Sequence, residues 1–186
     1  MLLWNDALEV AGIVDPDKQG AFNRLSEVYK KAAPPFFSSL NEALDATDPD
    51  GVMIGTRCDL HTELALPVMS RNVPMFLEKP VSITKKQALE LYEANKSYTS
   101  QAVCSFPLRV SPLVKAAKEV VSSGALGTIE HVQAVNNVPY GGAYYHYWYR
   151  DESITKGLWL QKATHDFDYI IDILESPPVS DRKSVV

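Results

Sequence analysis

The sequence predicts an α/β chain: an incomplete Rossmann-like, doubly wound parallel sheet followed by the start of a second α/β unit, a substrate domain. Three observations carry this expectation. Through the first two-thirds of the chain, short apolar runs alternate with helix-length polar segments, the pattern of βαβ units. Those runs are nearly continuous in Val, Ile and Ala, as expected of buried strands. Charged and polar residues gather where the runs stop, at the carboxyl ends that hold ligands in open α/β sheets.

Taken in order, Leu8 to Val14 reads as a strand ending in Asp15-Pro16-Asp17, and a helix follows from about Gln19 to Lys30. Phe36-Phe37 is a short strand, and Leu40 to Ala46 a short helix. Gly51 to Gly55 is a strand, His61 to Arg71 a helix, and Pro74 to Leu77 a strand that closes on Glu78-Lys79-Pro80. Thr84-Lys85-Lys86-Gln87 has capping-box spacing and opens a helix running to about Lys96. Gln101 to Phe106 is strand-like. Ser111-Pro112 supplies an N-cap with proline at the first helical position, and Gly124 ends that helix.

Near Leu126-Gly127 the pattern changes, so residues 1–126 are expected to form the partial nucleotide-binding unit and 127–186 the partial second domain. Thr128 to Val138 reads as a longer strand. A final helix carries Phe167, Ile170, Ile171 and Leu174 at the spacing of one buried face. Both ends look cut. If Asp15 is the ribose-binding acid of a doubly wound sheet, the first strand and its glycine-rich turn are expected ahead of Met1. The chain therefore reads as a fragment.

Composition narrows the function classes. The chain is 46% apolar and 22% charged with a net charge of -5, an ordinary globular balance. No Lys/Arg stripe points to nucleic acid, and no apolar stretch reaches the length of a membrane span. Cys58 and Cys104 lack CxxC spacing, which fits reduced thiols in a cytoplasmic protein. No metal site is expected, because His61 and Glu63 do not share a helix face.

Several residues could carry chemistry. Asp15 can accept hydrogen bonds from both ribose hydroxyls of an adenosine and would repel the phosphate of NADP; equally, Asp-Pro-Asp can be a plain turn. Thr56, Arg57 and His61 surround a strand end and helix start suited to an anion or carboxamide, or else a capped turn with a half-buried histidine. A lysine at a buried strand end, as Lys79 is, needs a partner, solvent or a function. His165 at a helix start suits a general base, with Asp168 or Tyr169 placed to orient it; capping by Thr164 is the structural alternative. Tyr140 to Arg150 is crowded with aromatic rings suited to sugar stacking or to a subunit interface.

Five segments in order resemble the Gfo/Idh/MocA oxidoreductases, over about Leu8 to Leu174. They are Val14-Asp15-Pro16-Asp17, Ile54-Gly55-Thr56…His61, Phe76-Leu77-Glu78-Lys79-Pro80-Val81, Ser123-Gly124…Leu126-Gly127-Thr128-Ile129 and Lys162…His165-Asp166-Phe167-Asp168. The resemblance implies a Rossmann domain followed by an α/β domain, NAD rather than NADP as cofactor, and hydride transfer from a sugar or polyol carbon. It implies Asp15, Thr56, Arg57, His61, Glu78 and Lys79 at the cofactor, with Lys79 and His165 catalytic. Lys79, Tyr145, His146, Lys162 and His165 would face a small carbohydrate or polyol substrate, and the full-length protein would be a homo-oligomer. Gln161 stands where many members carry aspartate, with Lys162 as a substitute contact. An NAD-dependent glycosidase of the same superfamily and a non-catalytic remnant are the alternatives.

Overall fold

The computed structural model describes residues 7–137, 139 and 141–180. Five short strands, β1 (Ile13–Val14), β2 (Phe36–Phe37), β3 (Val52–Ile54), β4 (Met75–Leu77) and β5 (Ala102–Cys104), are all parallel to their neighbours. They form two pieces, β1-β2 and β3-β4-β5. In a doubly wound sheet of order 3-2-1-4-5-6 these correspond to strands 3-2 and 4-5-6. Between them run α1 (Lys18–Arg24), α2 (Glu27–Ala32), α3 (Leu40–Thr47), α4 (His61–Ser70) and α5 (Lys85–Asn95). After β5 come α6 (Pro112–Ser122), α7 (Ala143–His146), α8 (Glu152–Thr155), a π-helical turn at Trp159–Ala163 and α9 (Thr164–Leu174).

Local chemistry sets the helix starts. Thr84 Oγ1 accepts from Gln87 N at 3.2 Å, the forward half of the expected capping box, while Gln87 Oε1 reaches back one residue further, accepting from Ile83 N at 3.0 Å. Ser111 Oγ caps α6 through Val114 N, ahead of Pro112. Asp17 Oδ1 caps α1 by accepting from Gly20 N at 2.9 Å, and a Cβ on Gly20 would collide with that carboxylate.

The core lies on one face of the three-stranded piece. Ile54, Met75 and Leu77 pack against Ala65, Val68 and Met69 of α4, with Leu44 of α3 and Tyr98 at its margins. Each large apolar side chain buried there stabilises the fold by about 1.5–3 kcal/mol relative to exposure. This packing fixes the carboxyl ends of β3 and β4, which carry Gly55-Thr56 and Glu78-Lys79. On the opposite face Met53, Phe76 and Val103 pair in register, and Met53 is 63% exposed.

The structure corrects four expectations. Only Ile13 and Val14 of the run from Leu8 pair as a strand, because β2 offers them just two partners. The helix expected from Gln19 to Lys30 is two helices, since Leu25 and Ser26 are extended and Ser26 takes the N-cap position of α2. Residues 128–137 are exposed and form no strand; among the described residues no neighbouring strand offers them a ladder, and Val138 lies outside that set. In α9, Phe167 is 53% exposed and stacks on Trp159, while Asp168 is buried. The face of α9 turned inward is therefore partly polar.

Candidate functional site

The site forms where β3 and β4 end. Glu78 N donates to the Ile54 carbonyl and Ser105 N to the Leu77 carbonyl, each at 2.9 Å, so Glu78-Lys79-Pro80 emerges beside Gly55-Thr56. His61, at the first position of α4 and only 1% exposed, fastens the two loops together. Its Nδ1 lies 2.7 Å from the Pro80 carbonyl oxygen and its Nε2 3.0 Å from that of Thr56. Both neighbours are carbonyl oxygens, so the ring nitrogen that carries the proton donates to one of them, and which one follows the tautomer. Thr62 Oγ1 adds a bond to the Val81 carbonyl at 3.1 Å. The Lys79–Pro80 peptide is cis.

The later half of the chain closes over this edge through the π-helical turn. Lys79 Nζ donates to the Gln161 carbonyl at 2.6 Å. The Gln161 side chain is buried, and its Nε2 donates to Cys58 Sγ at 2.7 Å, while Cys58 donates onward to the Ile154 carbonyl at 3.2 Å. Gln161 therefore reaches both loops of the first domain. Removing its amide with Gln161→Ala is expected to expose the Cys58 thiol. Losing one buried hydrogen bond is worth about tenfold in local opening, so thiol modification by a disulfide reagent should quicken by roughly that factor. An unchanged rate would refute the link.

Two residues beyond the turn, His165 is the second residue of α9 and lies beside the ring of Phe106, centroid to centroid 5.8 Å and edge-on. Its Nδ1 is buried and without a hydrogen-bond partner among the described residues. Burial pushes its pKa below the usual imidazole value, and the ammonium groups of Lys79 and then Lys162 push the same way. Lys79 is likewise lowered, first by burial and then by Lys162, against an opposing pull from Glu78. Neither neighbour expected to orient His165 does so by hydrogen bonding. Asp168 is taken by Arg109, which grips it through Nε at 2.8 Å and Nη2 at 2.5 Å, and no bond joins Tyr169 to the imidazole. Arg109 also reaches Asp172, which Lys118 of α6 shares at 3.1 Å, so α9 is held in place by ion pairs.

The other sequence candidates fall into two groups. Lys162 belongs to the central cluster, its ammonium 4.6 Å from the centre of the Tyr144 ring. Asp15, Thr56 and Arg57 stand at strand carboxyl ends: Asp15 Oδ1 accepts from Asp17 N, Asp15 Oδ2 is 3.5 Å from Arg24, and Arg57 pairs with Asp59. Tyr145 and His146 are exposed on α7, and Tyr140 lies outside the described residues. The arrangement offers a half-buried cation and an imidazole whose Nδ1 has no hydrogen-bond partner among the described residues, at the carboxyl edge of a parallel sheet, suited to moving a proton from a hydroxyl and stabilising the oxygen left behind.

Comparison with known proteins fits this geometry. The model of the Gfo/Idh/MocA oxidoreductase family, NAD-binding Rossmann fold, matches residues 2–106. The chain belongs to the Gfo/Idh/MocA family. The C-terminal domain model of the same family matches residues 114–183. Among relatives of the Gfo/Idh/MocA chain is YteT of Bacillus subtilis, 26% identical over 166 residues, which span 87% of this chain and 39% of the relative. Inositol 2-dehydrogenase of Leifsonia xyli is 26% identical over 173 residues, 92% of this chain and 47% of the relative. The crystal structure of myo-inositol 2-dehydrogenase from Lactobacillus plantarum superposes with a TM-score of 0.77 at 19% identity, covering 91% of this chain and 50% of that one, a likeness of fold. The chain spans less than half the length of these curated relatives.

Within this Gfo/Idh/MocA fold, sequence reasoning missed the Arg109–Asp168 pair, Cys58 as the acceptor for Gln161, and Tyr144 as the ring under Lys162. Only the opposite signs of Arg109 and Asp168 hinted at any of these. No helix among the described residues is long and apolar enough to cross a membrane.

Proposed function

We propose that the protein is an NAD-dependent oxidoreductase that moves a hydride between a hydroxyl-bearing carbon of a sugar or polyol and nicotinamide. The observation that supports this most is the convergence on the carboxyl edge of the sheet of Lys79 and His165, whose Nδ1 has no hydrogen-bond partner among the described residues. The inositol 2-dehydrogenase activity named for a relative makes a polyol a natural first test.

The residues present suit the cofactor. Asp15, Thr56 with Arg57, and Glu78 with Lys79 follow β1, β3 and β4, all parallel within their sheets, in the places that meet adenosine ribose and nicotinamide ribose in a Rossmann domain. NAD supplies a hydride acceptor. His165 takes the hydroxyl proton as the carbon loses its hydride, and it is competent because burial and two nearby ammonium groups keep the imidazole neutral. Lys79, steadied by the Gln161 carbonyl, faces the developing alkoxide as a cation. His61, wedged between the Thr56 and Pro80 carbonyls and donating to one of them, supports the two cofactor loops from beneath.

A panel of sugars and polyols incubated with NAD, watched for NADH, tests the reading; no NADH from any of them together with no NAD binding would sink it. The choice of NAD over NADP rests on Asp15. Asp15→Ser removes the repelling carboxylate and one of the two carboxylates that pair with Arg24, so the NADP-to-NAD binding ratio should rise by about tenfold or more. A ratio that stays put would place the ribose elsewhere.

A further inference from the structure

Packing and an ion pair, in place of a hydrogen bond to its Nδ1, locate His165. That nitrogen has no hydrogen-bond partner among the described residues, and the imidazole is met by one short segment, the 3₁₀ turn Pro107–Val110 with Phe106 ahead of it. Phe106 and Arg109 are three residues apart, the spacing at which side chains eclipse in a 3₁₀ turn. His165 and Asp168 are three apart on α9 and share a helix face. The two spacings match. Phe106 lies edge-on to the His165 ring, and Arg109 forks onto Asp168 through Nε at 2.8 Å and Nη2 at 2.5 Å.

This fork fixes more than the other ion pairs of α9 do. Asp168 is 8% exposed, and a planar guanidinium bonded through two nitrogens sets the angle of a carboxylate as well as its distance. Lys118, a single ammonium, divides itself between Asp172 and Glu175 and holds α9 against α6 without setting its rotation. Side chains reach about 5–6 Å from a helix axis, so a roll of about 20° would carry the imidazole about 2 Å. A misplacement of about 1 Å can cost about a hundredfold in rate. The turn also shares its footing with Lys79: Ser105 N donates to the Leu77 carbonyl at 2.9 Å, and Lys79 follows two residues after Leu77. Base and cation are therefore both measured from the end of β4.

We propose that Arg109 is a positioning residue for His165: its fork on Asp168 sets the roll of α9, and Phe106 is the stop against which the imidazole rests. This rests on the oxidoreductase reading for the role of His165 as the base, whereas the placement of the ring can be observed without any substrate.

The test joins NMR of the imidazole to kinetics, both on the whole protein. The His165 ring C–H resonances, identified by their loss in His165→Asn, are expected to carry a ring-current shift that Phe106→Leu removes. Arg109→Lys keeps a cation beside Asp168 but not the fork, and it should move those resonances toward their Phe106→Leu positions. Turnover should fall about tenfold or more, with KM and NAD binding changed by less than about threefold. Lys118 still grips Asp172, so the thermal midpoint should stay within about 5 °C of wild type. Adding Asp168→Asn should cost little more, because both substitutions act through one fork. Resonances that stay in place in Arg109→Lys, or turnover that falls only in step with thermal stability, would overturn the proposal. Shifted resonances in a protein that forms no NADH from any sugar or polyol would sink the oxidoreductase reading and leave the positioning standing; NADH formation with unmoved resonances would do the reverse.

Discussion

His165→Asn is expected to lower turnover by roughly a hundred- to ten-thousand-fold, the range for removing a positioned acid/base, while NAD binding changes by less than about threefold. Asparagine keeps a polar side chain at the start of α9 but cannot take a proton. The wild-type pH profile provides a second check. The base works when neutral, and its pKa is lowered by burial and by two ammonium groups, so activity should rise with pH through a limb below the usual imidazole range. Lys162→Gln removes one of those cations. The imidazolium then becomes easier to form, and the acid limb should move to higher pH. A limb that stays in place, or turnover that survives His165→Asn, would show that another group takes the proton.

Lys79→Met should cost about a hundred- to a thousand-fold in turnover, as loss of one donor at a developing oxyanion does. Methionine retains the length of the stem, so packing at the half-buried strand end is largely preserved and the charge is what disappears. Two further results separate a catalytic from a structural role. The acid limb of the remaining activity should move up, since Lys79 also depresses His165. Lys79→Arg should recover little, because a planar guanidinium cannot meet the Gln161 carbonyl with the same compact head. Equal losses in thermal stability and turnover, with no shift of the limb, would make Lys79 merely a structural anchor.

How much of this was legible in the sequence depends on the range of the interaction. The caps at Thr84 and Ser111 could be read directly, because each joins residues three apart. So could the strands before Gly55 and Glu78, where buried apolar runs stop at polar residues. The strand expected over Thr128 to Val138 failed for a related reason: a strand is a statement about a neighbour, and local composition does not supply one. Asp168 shows the same limit within a helix. Periodicity placed Phe167 inward, but a bidentate bond to Arg109, far away in sequence, buries the carboxylate instead. The links from Gln161 to Cys58 and from Lys162 to Tyr144 likewise arise only once the second half of the chain docks on the first.

The partner of Lys79 at the π-helical turn is a main-chain carbonyl, not a side chain. No substitution at position 161 other than one that redirects the backbone can delete that acceptor. A change of side chain there leaves the lysine its anchorage, though it gives up the buried bond to Cys58 Sγ. Substitution at 161 therefore separates two tasks of one residue: the main-chain hold on Lys79 persists, and the side-chain tie to Cys58 is lost.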